Sequence, residues 1–222
     1  MSNQDSSNTT KKSTVYVALI TALAIIVGSV ILGIGGQTTT PEATPEAAPA
    51  VDLPNAGITE SNKATISFTT NQGEIVIETT PSLAPLTVNA IAALAQKNYF
   101  DNTICHRLTT EGIFVLQCGD PTGTGTGGPG FNIPDENLPE AVENNYPAGT
   151  VAMANAGPGT SGSQFFLVYQ DTTLGPDYTI WGSITSGLDI LKTIASAGVV
   201  GGGADGTPAT GVTIESTKVT IS

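Results

Sequence analysis

The sequence predicts a mainly β protein, an antiparallel barrel or sandwich set behind one apolar membrane-spanning helix. Three observations lead there. From Ala64 onward the chain is cut into short apolar segments by Gly-rich loops, only two stretches carry helical spacing, and nothing alternates in the βαβ order of a parallel sheet.

The elements follow in order. Residues 1–12 are a polar tail ending in Lys11-Lys12, expected to lie in the cytoplasm. Residues 13–36 carry no charge, and the run from Val15 to Leu32 is long enough to cross a bilayer as a helix. Lys11 and Lys12 precede it and the next cation is Lys63, which places the tail inside and everything after Gly36 outside, as a single-pass cell-membrane protein. A cleaved signal peptide is the rival. Its apolar core is shorter and ends in a small-residue cleavage site, whereas this one runs on into Gln37-Thr38-Thr39-Thr40. Residues 37–59, with Thr40-Pro41-Glu42-Ala43 followed by Thr44-Pro45-Glu46-Ala47, cannot bury apolar surface and are expected to form a disordered linker. Residues 60–222 remain as one domain of about 160 residues, a usual single-domain size.

Inside that domain, Ala64–Thr69 and Glu74–Thr79 alternate around Asn71-Gln72-Gly73 and predict a hairpin. The Ala-rich run from Leu83 to Lys97 carries Val88, Ile91 and Leu94 at helical spacing and predicts the first helix. Strands are expected at Ile104–Leu108, Phe114–Gln117, Val151–Ala154, Phe165–Val168, Thr179–Trp181 and Val212–Ile221, with a second helix over Gly187–Ala197.

Composition narrows the function. The net charge of −12 leaves no cationic cluster for phosphate, which excludes nucleic-acid partners. Two cysteines without CxxC spacing and a single histidine exclude a zinc-type site, so no metal is expected. Gly123-Thr124-Gly125-Thr126-Gly127-Gly128 satisfies GxGxxG as a string, but Pro129-Gly130 stands where a helix should open to receive a pyrophosphate. Gly159-Thr160-Ser161-Gly162-Ser163 lacks the nucleophile elbow of a serine hydrolase. Asp135-Glu136 are neighbours on an extended segment and point to opposite faces, so they are expected in a solvated loop rather than as an acid–base pair. What stands out is the pair His106-Arg107, which holds the chain's one histidine and one arginine. A guanidinium stays charged and presents five donors in a rigid fork, suited to gripping a carbonyl or polarising an amide without giving up a proton.

The sequence around this pair resembles the cyclophilin-type peptidyl-prolyl isomerases. Tyr99 to Arg107, Phe114 to Pro121 with its Gly/Thr loop, Val151 to Ala156 and Gly162 to Phe166 stand in the family's order, and the resemblance runs from about Ala64 to Val200. It implies an eight-stranded closed antiparallel barrel capped by two helices, an outer groove as active site, no cofactor, and isomerisation of X-Pro bonds. In this setting the substrates would be proline-containing segments of exported proteins, handled by a monomer. Arg107 matches the catalytic arginine. His106, Phe114, Val115, Gln117, Gln164 and Phe166 fall at or around the proline pocket, Ala154 and Asn155 in the segment that holds the extended peptide, Leu174 beside the pocket, and Tyr178 where the family has a histidine. Val115 replaces the family's methionine and Thr173 the tryptophan that contacts cyclosporin, so weak cyclosporin binding is expected. The alternatives are a non-catalytic module that binds Pro-containing peptides in the same groove and, more weakly, a structural surface protein.

Cys105 and Cys118 lie at equal distances from Glu111-Gly112, so a hairpin with that tip would oppose them at disulfide distance. The alternative is a pair of buried free thiols.

Overall fold

The computed structural model describes residues 52–222. The expected tail at 1–12, the transmembrane helix at 13–36 and most of the linker at 37–59 therefore lie outside the described residues. Among the described residues no helix is long and apolar enough to cross a membrane.

Alternation sets the core from the first hairpin onward. Strands β1 (Ala64–Thr70) and β2 (Gly73–Thr79) pair across the two residues Asn71 and Gln72, and send Ile66, Phe68, Ile75 and Ile77 inward. The turn is tied by the Thr70 hydroxyl, which donates to the Gly73 carbonyl and accepts from the Gln72 amide. Helix α1 (Pro85–Gln96) is buried from Thr87 to Ala95. Its N-cap, Ala84, offers no side-chain acceptor. The carboxylate of Glu136 takes that role from a distant loop, accepting from the Leu86 amide at 3.0 Å and from the Thr87 amide and hydroxyl at 2.8 Å, which puts a negative charge at the positive end of the helix dipole. Asp135 accepts from the Gly159 amide. The segment expected to be a solvated loop is thus a clamp.

Packing begins before residue 60. Ile58 is 5% exposed, and the Asn89 side chain on α1 both accepts from its amide and donates to its carbonyl. The domain boundary expected at 60 falls inside packed chain.

The remaining elements are β3 (Thr103–Ile104), β4 (Arg107–Thr109), β5 (Val115–Cys118), β6 (Thr150–Met153), β7 (Phe165–Val168), β8 (Ile180–Ser186), α2 (Leu188–Ser196), β9 (Asp205–Gly206) and β10 (Thr213–Ile221). All ten strands join one antiparallel sheet in the order β3-β10-β1-β2-β8-β6-β7-β5-β4-β9. The sheet is curled, and its two ends return to one stretch of chain, since β3 and β4 are separated only by Cys105 and His106. The expected count of eight becomes ten for two physical reasons. The predicted strand 104–108 changes partner midway, β3 pairing with β10 and β4 with β5, and the two-residue strand β9 is too short to give a periodic signal. Both expected helices are present, slightly shorter than their apolar runs.

Phe68, Phe100, Phe165 and Trp181 fill the centre of the core. Their rings meet at centroid distances of 5.3–5.9 Å, three of the four contacts edge to face.

Cys105 and Cys118 form a disulfide with Cα atoms 4.0 Å apart, although by a different register from the one expected. Arg107 pairs with Gln117 and Leu108 with Leu116, so the hairpin is centred on Gly112, which takes the left-handed φ of +74°. Extended, this register sets Cys118 opposite His106, and the bond runs diagonally to Cys105, outside β4. It clamps β5 to the junction of β3 and β4. Titration of the unreduced, denatured chain is expected to find no free thiol. The double substitution Cys105→Ser, Cys118→Ser is expected to lower unfolding free energy in a urea titration by about 3 kcal/mol.

Candidate active site

Val115 and Gln117 share one face of β5, and Arg107 stands opposite Gln117 on β4. Beside them is a cavity of about 160 Å³. Val115, Phe166, Leu174 and Tyr178 give it apolar walls, Ile113 closes one side, and Arg107, Gln117, Ala154 and Asn155 form its polar edge. Phe166 is 5% exposed and meets the Tyr178 ring edge to face at 5.5 Å.

The far wall is held by two residues that the sequence reading missed. Tyr146 is fully buried beneath Phe166 and Tyr178; its hydroxyl accepts from the Tyr178 amide at 3.1 Å and donates toward the Gly175 and Tyr178 carbonyls. Burial pushes its phenol up to about 12. Asn145 accepts from the Leu174 amide and donates to the Leu174 carbonyl. These neighbours sit in irregular chain before Pro147, where no periodicity marks them.

Arg107 is anchored on two sides. Its Nε donates to Asp205 Oδ1 at 2.8 Å and Nη2 to Asp205 Oδ2 at 2.7 Å, while Nη1 reaches Gln117 Oε1 at 3.3 Å. The bond to Asp205 raises the guanidinium pKa against the opposing effect of burial, and the same bond lowers that of the Asp205 carboxyl. Asp205 was not foreseen, because Asp-Gly reads as a turn dipeptide in sequence.

Gln117 passes the connection on. Its Nε2 donates to Gln164 Oε1 at 2.8 Å, and Gln164 Nε2 donates to the carbonyls of Gly125 and Gly127. Gln164 therefore lies outside the small cavity, on a neighbouring one of about 710 Å³ bounded by the 125–132 loop. Gln117, Ala154 and Asn155 belong to both cavities and form the ridge between them. The glycine string that mimics a dinucleotide motif wraps a carboxylate instead. Asp120 is fully buried and accepts from the amides of Thr122, Gly125 and Gly127 and from the Thr122 hydroxyl. Burial pushes its carboxyl up, but these hydrogen bonds outweigh it and hold the group well below the usual carboxylate range.

Two expected site residues are elsewhere. His106, in the two-residue link between β3 and β4, lies under Gly125, where both ring nitrogens are buried without a partner. Phe114 faces away from Ile113 and Val115 and packs edge to face on Tyr169 at 6.0 Å, lining a separate cleft near α2. Ile113 takes the place expected for it. Thr173 uses its hydroxyl to accept from the Asn144 amide.

A curled antiparallel sheet with two helices carries a small, mostly apolar cavity edged by one tethered guanidinium, and the comparisons with known proteins place this arrangement in a family. Residues 65–219 match the family described as "Cyclophilin type peptidyl-prolyl cis-trans isomerase/CLD", and the chain belongs to this family. It is 46% identical over 196 residues to the "Probable peptidyl-prolyl cis-trans isomerase B" of Mycobacterium tuberculosis (strain ATCC 25618 / H37Rv), covering 82% of this chain and 64% of that protein. The Mycobacterium leprae protein of the same name is 46% identical over 192 residues, covering 81% and 65%. The chain thus spans less than two thirds of the length of these curated relatives. A crystal structure of a Cryptosporidium parvum cyclophilin type isomerase superposes with a TM-score of 0.62 at 30% identity, covering 72% of this chain and 98% of that one. The structure described as that protein in the presence of the dipeptide Ala-Pro gives 0.61 at 31% identity, covering 70% and 98%.

Burial lowers the pKa of His106, Asp120 pulls it back up, and Arg107 lowers it further; the net direction is down. Its neutral form is the one the fold accepts. The associated stability is fully present above about pH 6.5, the ordinary histidine value, and is lost as pH falls through the depressed folded value. With one histidine in the chain, its C2–H proton resonance is unique. The expected NMR titration midpoint lies below 6.5, and a midpoint at or above about 6.5 would show that burial does not dominate.

Proposed function

We propose that the chain catalyses cis–trans isomerisation of X-Pro bonds in exported proteins, from the outer side of a membrane to which the Val15–Leu32 segment anchors it. The curled sheet is read as the family's closed eight-stranded barrel, its ring completed by the covalent run from β3 into β4. The carrying observation is the placement of Arg107 at the rim of a cavity of about 160 Å³ whose walls are apolar. A pyrrolidine ring needs an apolar slot and offers no donor of its own.

The chemistry requires neither a nucleophile nor a proton reservoir. Partial double-bond character sets a barrier of about 18–20 kcal/mol, and twisting the bond localises a lone pair on the prolyl nitrogen. A donor fixed nearby stabilises that twisted state more than the planar ones, which lowers the barrier. Arg107 supplies the donor and remains charged throughout. Gln117, Ala154 and Asn155 along the ridge suit an extended peptide leaving the pocket toward the larger cavity. The structural relative described with Ala-Pro supports a ligand of this chemistry. A disulfide beside the site suits an oxidising, extracytoplasmic location.

The full-length chain is expected to accelerate isomerisation of proline tetrapeptides in a protease-coupled assay. Arg107→Ala is expected to lose about a hundredfold of that rate while the fold persists. Peptide binding without acceleration by the wild type would establish a non-catalytic binding module instead. In cells, the full-length chain is expected to fractionate with membranes, with external protease releasing the domain by cutting the Thr/Pro/Ala stretch. Recovery of a soluble product beginning after Gly36 would mean cleavage by a signal peptidase.

A further inference from the structure

We propose that Asp205 is a positioning residue that sets the plane of the Arg107 guanidinium for its reaction; the proposal rests on the isomerase function above. The pairing is two-pronged, through Nε and Nη2 on one edge of the guanidinium, and such a fork fixes orientation as well as proximity. The other tether, from Nη1 to Gln117 at 3.3 Å, is long and single and leaves the plane free to swing. Of the five N–H bonds of the group, three are then engaged. One on Nη1 and one on Nη2 remain, on a residue that lines the small cavity.

Two further observations set this pair apart from ordinary surface electrostatics. Among the described residues it is the one ion pair, and Lys63, Lys97, Lys192 and Lys218 form none in a chain with 19 acidic residues. Asp205 is also delivered by a dedicated piece of backbone. The two-residue strand β9 pairs Asp205 with Thr109 and Gly206 with Leu108 along the free edge of β4. The loop that presents it is pinned by the buried Val199, which bridges to Pro208, and by the Val200 amide bonding to the Thr207 carbonyl. An ion pair whose side chains are 40% and 52% exposed adds little to folding stability, so its effect falls on Arg107's geometry.

The test uses the full-length chain, ¹⁵N-labelled, with Asp205→Asn, Asp205→Ala and Asp205→Glu. Because the chain has a single arginine, its Nε–H gives one assignable correlation. In the wild type this signal is expected to be persistent and shifted downfield, and in Asp205→Asn and Asp205→Ala to move toward the free-arginine position and broaden. Both variants are expected to lose about tenfold in kcat for a proline tetrapeptide with KM changed by less than about twofold, as misorientation of a bound reactant's partner predicts. Asp205→Glu is expected to regain part of the rate and of the shift. Fluorescence of the buried Trp181, the one tryptophan, reports that the fold is kept. Unchanged kcat in an active background, an unmoved Nε–H signal, or a fall in kcat/KM carried by KM alone would overturn the proposal. A wild type without isomerase activity would instead overturn the isomerase function and, with it, any effect of Asp205 on rate, while the Nε–H signal would still decide whether Asp205 holds the guanidinium.

Discussion

The stretch Thr103 to Thr109 is the constraint on which the rest of this structure depends. It must satisfy β10 at one end and β5 and β9 at the other, so it belongs to both extremities of the sheet. A segment with partners on both sides cannot slip by one residue without turning Leu108 out of the core and Arg107 into it. The disulfide at Cys105 removes the remaining freedom at the point where the ladder changes partner. Arg107 follows two residues later and inherits this fixity. The placement of the Arg107 backbone is in this sense a by-product of how both ends of the curled sheet meet at one stretch of chain.

Around that point the site is built from hydrogen bonds that do not exchange protons. Arg107, Gln117 and Gln164 hand donors to acceptors in a line that ends on the Gly125 and Gly127 carbonyls, and none of these side chains titrates near neutrality. The titratable group nearest in sequence, His106, has both ring nitrogens buried without a partner, and burial lowers its pKa. The proposed isomerisation only rotates a bond, and it would call for steady electrostatics of this kind rather than proton traffic. The same economy appears behind the apolar wall, where Tyr146 uses its hydroxyl on the backbone of the turn that carries Tyr178, and the rings of Phe166 and Tyr178 line the cavity.

Much of this was legible in the sequence, for reasons that can be named. Period-two alternation placed β1 and β2, a short apolar run placed β7, helical spacing placed α1, and the family motifs gathered Arg107, Val115, Gln117, Ala154, Asn155, Phe166, Leu174 and Tyr178 onto one cavity. What failed did so where one residue of register matters. Placing the hairpin tip at Glu111-Gly112 rather than at Gly112 alone shifts the ladder by one, and Phe114 was assigned to a pocket whose wall is Ile113 and Val115. Asp205, Asn145 and Tyr146 act from irregular chain or from a strand of two residues, where periodicity carries no information. Glu136 was read from its neighbour in sequence, while its partner is a helix fifty residues away.

The 123–128 loop is organised by the Asp120 carboxylate rather than by packing, and this separates its shape from its surface. A Cβ at Gly127 would collide with Asp120 Oδ1, so that position is locked, whereas one at Gly128 meets nothing. The hydroxyls of Thr122, Thr124 and Thr126 run in a hydrogen-bonded row outside the backbone that the carboxylate holds. The wall of the larger cavity can therefore change its chemistry, at 128 above all, while its contour stays where one buried charge has put it. For anyone re-engineering the groove, Gly128 is a free variable and Asp120 is the fixed coordinate.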